Sequence, residues 1–204
     1  MKKLIIMFAV ALLLTACGGR TTVGINKANI SPRFDASKVN RVAVIGFGQN
    51  TGLKYDTTII ADKFTAELVS SEIFSLMDRN DIDKIMKEFG FQQQVATTGL
   101  LNEETMERLK ALGADSILTG KLISFKQVDR GHNILFAEAH LLAKLLRIET
   151  GEVLWSAEMQ KRSKMDGGKD ADGAEILLSD IITEMSIPLN TEDKYKRLMR
   201  KTFH

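Results

Sequence analysis

Apolar positions along the chain fall into two rhythms, and the switches between them mark the elements. Val39 to Phe47 alternates with both sets apolar (Val42, Val44 and Gly46 on one side, Ala43, Ile45 and Phe47 on the other), which predicts a buried strand. The glycine-rich GFGQNTG ends it in a turn. Asp56 or Thr57 can then cap a helix with Ile59, Ile60, Ala61, Phe64 and Leu68 on its apolar face. Ile73 to Met77 reads as a short second strand. Asn80 is placed to cap a helix whose Ile82, Ile85, Met86 and Phe89 recur at helical spacing, with Gly90 as its stop. After a polar connection over residues 91–101, Asn102 caps a third helix. Glu103 and Glu104 suit its N-terminal dipole, Leu101 can staple onto Met106, Leu109 and Leu112 continue the stripe, and Gly113 ends it.

The second half changes period. Ala114 to Lys126 reads as a strand bearing Ile117, Leu118, Leu122, Ile123 and Phe125, with Val128–Asn133 as the turn that follows. Residues 133–149 are rich in helix formers, yet Leu135, Ala137, Ala139, Leu141, Ala143 and Leu145 alternate cleanly, which favours a long strand. Glu149-Thr150-Gly151 turns it back into another strand at Val153–Met159, making three antiparallel strands in succession. Lys161 to Asp172 is polar and glycine-bearing, the composition of a mobile connection. A last core helix runs from Ala174 to Ser186 on Ile176, Leu177, Ile181 and Met185, and Pro188 ends it. The predicted fold over residues 39–188 is α/β of the α+β kind. It is a mostly antiparallel sheet with a β-meander, flanked by about four helices. Residues 189–204 form a basic amphipathic tail, with Lys194, Lys196, Arg197, Arg200 and Lys201 among Tyr195, Leu198, Met199 and Phe203.

The start of the chain obeys neither rhythm. Lys2 and Lys3 precede an unbroken apolar run from Leu4 to Leu14, closed by Leu14-Thr15-Ala16-Cys17-Gly18. Such a run rises only about 16 Å as a helix against a hydrocarbon core of roughly 30 Å, so it reads as a secretory signal and not a span. The ending resembles the lipobox of bacterial lipoproteins, which implies cleavage after residue 16 and acylation of Cys17. Cys17 is the only cysteine in the chain, so it has no disulfide partner. Gly18 stands where the inner-membrane retention signal would carry an aspartate, so the resemblance implies an outer-membrane anchor facing the periplasm. Residues 17–38 then read as a lipidated N-terminus and flexible tether, with a reach of roughly 65 Å at full extension.

Charge removes one class of function. The 28 basic residues include Lys2 and Lys3, so the chain beyond the leader carries 26 basic residues against 26 acidic, and bulk charge does not support nucleic-acid binding. No catalytic, cofactor or metal constellation emerges. Gly46-Phe47-Gly48-Gln49-Asn50-Thr51-Gly52 sits where a dinucleotide loop would, but its third glycine comes one position late. His132, His140 and His204 lack ligand spacing. Glu103 and Glu104 are adjacent and serve a helix start better than a carboxylate pair. Ser70, Ser71 and Ser163 lack a nucleophile elbow.

Three segments resemble the curli-secretion lipoprotein (CsgG-like) family. They are Arg41–Ile45 with Asn50-Thr51-Gly52, Met77-Asp78-Arg79 with Asp81–Ile85, and Leu112–Gly120; the Glu149–Trp155 turn is also typical. The motifs are shared with a wider set of periplasmic domains, including the lipoprotein activators of penicillin-binding proteins (LpoB-like). Pore-forming hairpins of the curli type need roughly twenty alternating residues. The segments here are too short, so no pore is expected. The resemblance implies a non-enzymatic assembly or scaffold factor for secretion or surface-fibre export, with regulation of a peptidoglycan synthase as the alternative. The implied partners are the membrane through Cys17, an envelope protein of one of those two kinds, and a further copy of the chain.

Overall fold

The computed structural model describes residues 20–32, 34–35, 38–71, 74–88 and 103–202, without the side chains of 71, 86–88 and 190–202. Among the described residues seven strands form one sheet: β1 (Arg20–Ile30), β2 (Arg41–Val44), β3 (Gly48–Gln49), β4 (Ser75–Leu76), β5 (Ser116–Arg130), β6 (Asn133–Arg147) and β7 (Val153–Lys164). The described helices are α1 (Thr58–Ser71), α2 (Arg79–Glu88), α3 (Glu103–Ala111) and α4 (Ala174–Thr202). The sheet order is β1-β7-β6-β5-β2-β4, with β3 also on β5. β1, β7, β6 and β5 pair antiparallel, whereas β2 and β3 run parallel to β5 and β4 parallel to β2. The parallel corner is where the chain makes helical crossovers, and the antiparallel part is where two tight turns suffice. The predicted class and the three-strand meander both hold, and residues 133–147 are strand.

Each face of the sheet has its own cover. Val42, Val44, Leu118, Leu122 and the odd positions of β6 from Ala137 to Leu145 join Phe64 and Leu68 of α1 and Leu177, Ile181 and Met185 of α4 in one cluster. On the other face Ala43, Ile45 and Ile117 meet Ile82 and Ile85 of α2 and Leu109 of α3. Phe47 departs from the predicted alternation. The strand breaks over residues 45–47, so its ring joins the first cluster and stacks on Phe64 at 5.3 Å. Gly120 makes room for it. A Cβ there would lie 2.0 Å from the Leu142 carbonyl oxygen and 2.6 Å from the Phe47 ring.

The motifs around residues 41, 78, 113 and 150 are joints of this scaffold. Asp115 accepts from the Asn40 amide at 2.7 Å and the Arg41 amide at 3.3 Å, locking β2 beside β5. Gly113, at φ +89°, ends α3 while the Ala114 amide reaches back to the Leu109 carbonyl at 3.0 Å. Gly151, at φ +67°, makes the β6–β7 turn. Asp56 caps α1 as expected, accepting from the Thr58 amide and hydroxyl, and these bonds hold its carboxyl below the usual range. Asp78, and not Asn80, caps α2: its carboxylate accepts from the Asn80 amide at 2.7 Å. Ile59 and Ile176 are exposed, each lying just off the buried stripe of its helix, and Leu112, one residue past α3, is exposed too. Phe89, Gly90, the connection 91–101 and Asn102 lie outside the described residues.

Four boundaries are corrected. The tether expected over residues 17–38 is, from Arg20 to Ile30, the edge strand β1. Its side chains are exposed except for half-buried Ile25, so it has no apolar rhythm, and backbone pairing with β7 is what holds it. The turn expected at Val128–Asn133 shrinks to Gly131-His132, because Arg130 already pairs with Asn133. The segment expected to be mobile from Lys161 continues β7 to Lys164 and then closes a tight turn at Gly167-Gly168 through the Asp166–Lys169 pair. Finally, Pro188 lies inside α4 and does not end it. A proline forfeits one bond to the preceding turn, and burial of Met185 and Leu189 on either side compensates. The basic tail thus continues α4 as far as Thr202.

Candidate functional site

The α2–α3 cluster takes nothing from β7 and nothing from β6 between Phe136 and Leu146. Over β5, β6, β7 and β1 the face opposite α4 therefore carries a polar set of side chains. The pairing registers identify it. β6 contributes Phe136, Glu138, His140, Leu142 and Lys144, and β5 contributes Lys121, Ser124 and Lys126. β7 adds Glu158, Gln160, Arg162 and Lys164, and β1 adds Arg20, Ile25 and Lys27. Seven cations thus face the same way as two carboxylates, in a chain whose overall charge beyond the leader is balanced.

Both carboxylates are engaged. Glu138 accepts from Ser124 Oγ at 2.6 Å and from Arg162 Nε at 2.6 Å. Burial pushes its carboxyl up, but those two bonds and the charges of Arg162 and Lys126 outweigh it, so it sits below the usual carboxylate range. Glu158 contacts His140 Nε2 at 2.9 Å. The acids therefore position Arg162 and His140, and Lys121, Lys126, Lys144 and Lys164 are left to set the field of the surface. Half-buried Ile25, Phe136 and Leu142 supply apolar contact between them.

The opposite face handles charge differently. Lys161, 7% exposed in its side chain, lies under α4 with Glu184 at 2.5 Å and Asp180 at 3.7 Å. Tyr55 donates to Glu175 and packs tilted against Phe125 with ring centres 4.4 Å apart, and burial together with that bond pushes its phenol well above the ordinary range. These are local ties of α1 and α4 to the sheet.

The residues weighed from sequence are scattered. His140 is buried within the basic face, exposed His132 occupies the β5–β6 turn, and Cys17 and His204 lie outside the described residues. Glu103 and Glu104 are exposed in the first turn of α3. Ser70 bonds back to the Glu67 carbonyl, Ser71 closes α1, and Ser163 contacts Asp172 under the sheet edge. The Gly46–Gly52 loop is structural: Gly48-Gln49 form β3, and Asn50 donates to the Ile123 carbonyl at 2.8 Å. Among the described residues no group of histidines, cysteines and acids could hold a metal, and no described helix is long and apolar enough to cross a membrane. The basic face itself was missed. Its signal was present in the even positions of residues 136–144, but which strands adjoin them is a matter of register.

The sheet is thus covered by helices on one face and carries a cluster of basic side chains on part of the other. The family model for the peptidoglycan-synthase activator LpoB matches residues 31–160, and the chain belongs to that family. The match falls on the activators that share the sequence motifs, and not on the curli-secretion lipoproteins. No curated protein matches the chain. Among solved structures, the PelC dodecamer from Paraburkholderia phytofirmans is 13% identical, with 84% of this chain and 98% of that one covered at a TM-score of 0.56. Lipoprotein GNA1162 from Neisseria meningitidis is 14% identical, with 72% and 98% covered at 0.52. At identities this low the likeness shows a shared fold and nothing more.

Proposed function

We propose that this protein is a non-enzymatic activator of a peptidoglycan synthase, anchored to the outer membrane through acylated Cys17. The family match over residues 31–160 carries the reading. The open basic face gives it a physical means. Clustered cations on a sheet surface steer and orient an acidic partner surface, with attraction that weakens over a Debye length of about 8 Å at physiological salt. No comparable observation favours the secretion or fibre-export role.

The strand at Arg20 changes how such an anchor would work. Between Cys17 and Arg20 there are only Gly18 and Gly19, a reach of about 11 Å at most. The Arg20 end of the sheet would then be held close to the bilayer, together with the β5–β6 turn and the Gly167-Gly168 turn.

The reading is tested by adding the lipidated protein to the host's purified bifunctional synthase and measuring glycan polymerisation. A several-fold rise is expected, lost on Lys126→Glu/Lys144→Glu and weakened by added salt. An unchanged rate with the wild-type protein would overturn the proposal.

A further inference from the structure

β1 lies at the edge of the sheet, and no described strand pairs with its outer side. The Ser31 amide donates to the Leu154 carbonyl at 2.9 Å, beside the pair Ile30↔Trp155. That makes Ile30↔Trp155 a non-hydrogen-bonded pair. By the alternation of an antiparallel ladder, Lys27 and Asn29 then turn their backbone groups towards β7. Asn26, Ala28 and Ile30 turn theirs outward. The strand has no proline to blunt it, and its one lysine, Lys27, is paired across the ladder with Glu158.

Beside this edge is a cavity of about 240 Å³ lined by Ala28, Met159, Met185, Ile187 and Pro188, among others. Ile30 and Ile187 are 43% and 51% exposed. We infer that the chain forms a two-fold dimer through antiparallel β1–β1 pairing centred on Ala28, with Ile30 of each copy seated against the groove of the other. In that register Asn26 meets the second copy's Ile30 and Ala28 meets Ala28. The three outward-facing residues beyond the bulge, Asn26, Ala28 and Ile30, all find partners. Lys27 falls opposite Asn29. Centring instead on Lys27 would set two ammonium groups face to face, and centring on Asn29 would leave Asn26 unpaired. The geometry is self-complementary, as an isologous interface requires. It stands on the sheet edge and the adjoining α4 groove and does not depend on the proposed activator role.

The test is disulfide trapping in the full, lipidated chain, using the unmodified protein to control for Cys17. Facing residues of a hydrogen-bonded antiparallel pair lie about 5.5 Å apart, within disulfide reach. Ala28→Cys alone should therefore cross-link at least about fivefold more than Asn26→Cys alone, while Asn26→Cys mixed with Ile30→Cys should cross-link as well as Ala28→Cys. Light scattering on the unmodified chain should give a mass that rises with concentration. Ala28→Pro, which removes an outward amide but none directed at β7, should return it to the monomer. Equal trapping at all positions, trapping at none, or a monomeric mass at every concentration would overturn the inference.

Discussion

Strand β6 is one strand with two careers. Its odd residues, Ala137 to Leu145, are buried under α4, and its even residues, Glu138 to Lys144, belong to the basic surface. The same backbone positions both sets, one step of the pleat apart, yet the odd set is wholly apolar while the even set mixes Glu138, His140 and Lys144 with Leu142. Substitutions at neighbouring residues are therefore expected to separate stability from the proposed recognition.

The largest effect should come where the covered face is tightest. Gly120→Val places carbon on the Leu142 carbonyl and the Phe47 ring, and should cost about 3 kcal/mol or more, or prevent folding, as read by urea denaturation. Next comes a direct contrast across the pleat. Leu141→Ala, at a fully buried site, should lose roughly 2–5 kcal/mol. Leu142→Ala, half-buried on the other face, should lose less than half of that in the same titration. Comparable losses would mean that the basic face is also packed as a core.

Acid sensitivity sharpens the contrast further. The Glu138 carboxyl is depressed in the folded state, so its contribution is complete above the ordinary glutamate pKa of about 4.3 and is lost as pH falls through the lower folded value. Glu138→Gln should flatten the fall of stability below about pH 4.5 and loosen Arg162. The smallest structural effect belongs to Lys144→Glu. Its stability should stay within about 0.5 kcal/mol of the parent, while binding to an acidic partner falls and loses part of its salt dependence.

Much of the scaffold was legible because its signals are local. Alternation in residues 133–149 reported the long strand against its helix-forming composition, and glycines at 113 and 151 marked ends that a positive φ requires. Caps were legible only to within a residue or two, since Asp78 and Asn80 are equally good candidates until the backbone decides. β1 was not legible at all. A strand held by backbone bonds at a sheet edge has no need of apolar residues, so it looked like linker. Pro188 misled for the opposite reason, because packing on both sides of it outweighs one missing hydrogen bond.

By itself the sequence determined the fold class and the order of the main elements, because periodicity and turn residues are written along the chain, while its motif order pointed first to the curli-secretion lipoproteins and to the activator family only as the related alternative. It also determined that charge is balanced beyond the leader. Tertiary structure decided where that charge goes. Arg20, Lys27, Lys126, Lys144 and Arg162 are far apart in sequence, and only the registers of β1, β7, β6 and β5 bring them onto one surface. Pairing register is a property of strands in contact, and a one-residue slip in any of them would have turned that strand's share of the surface into the core.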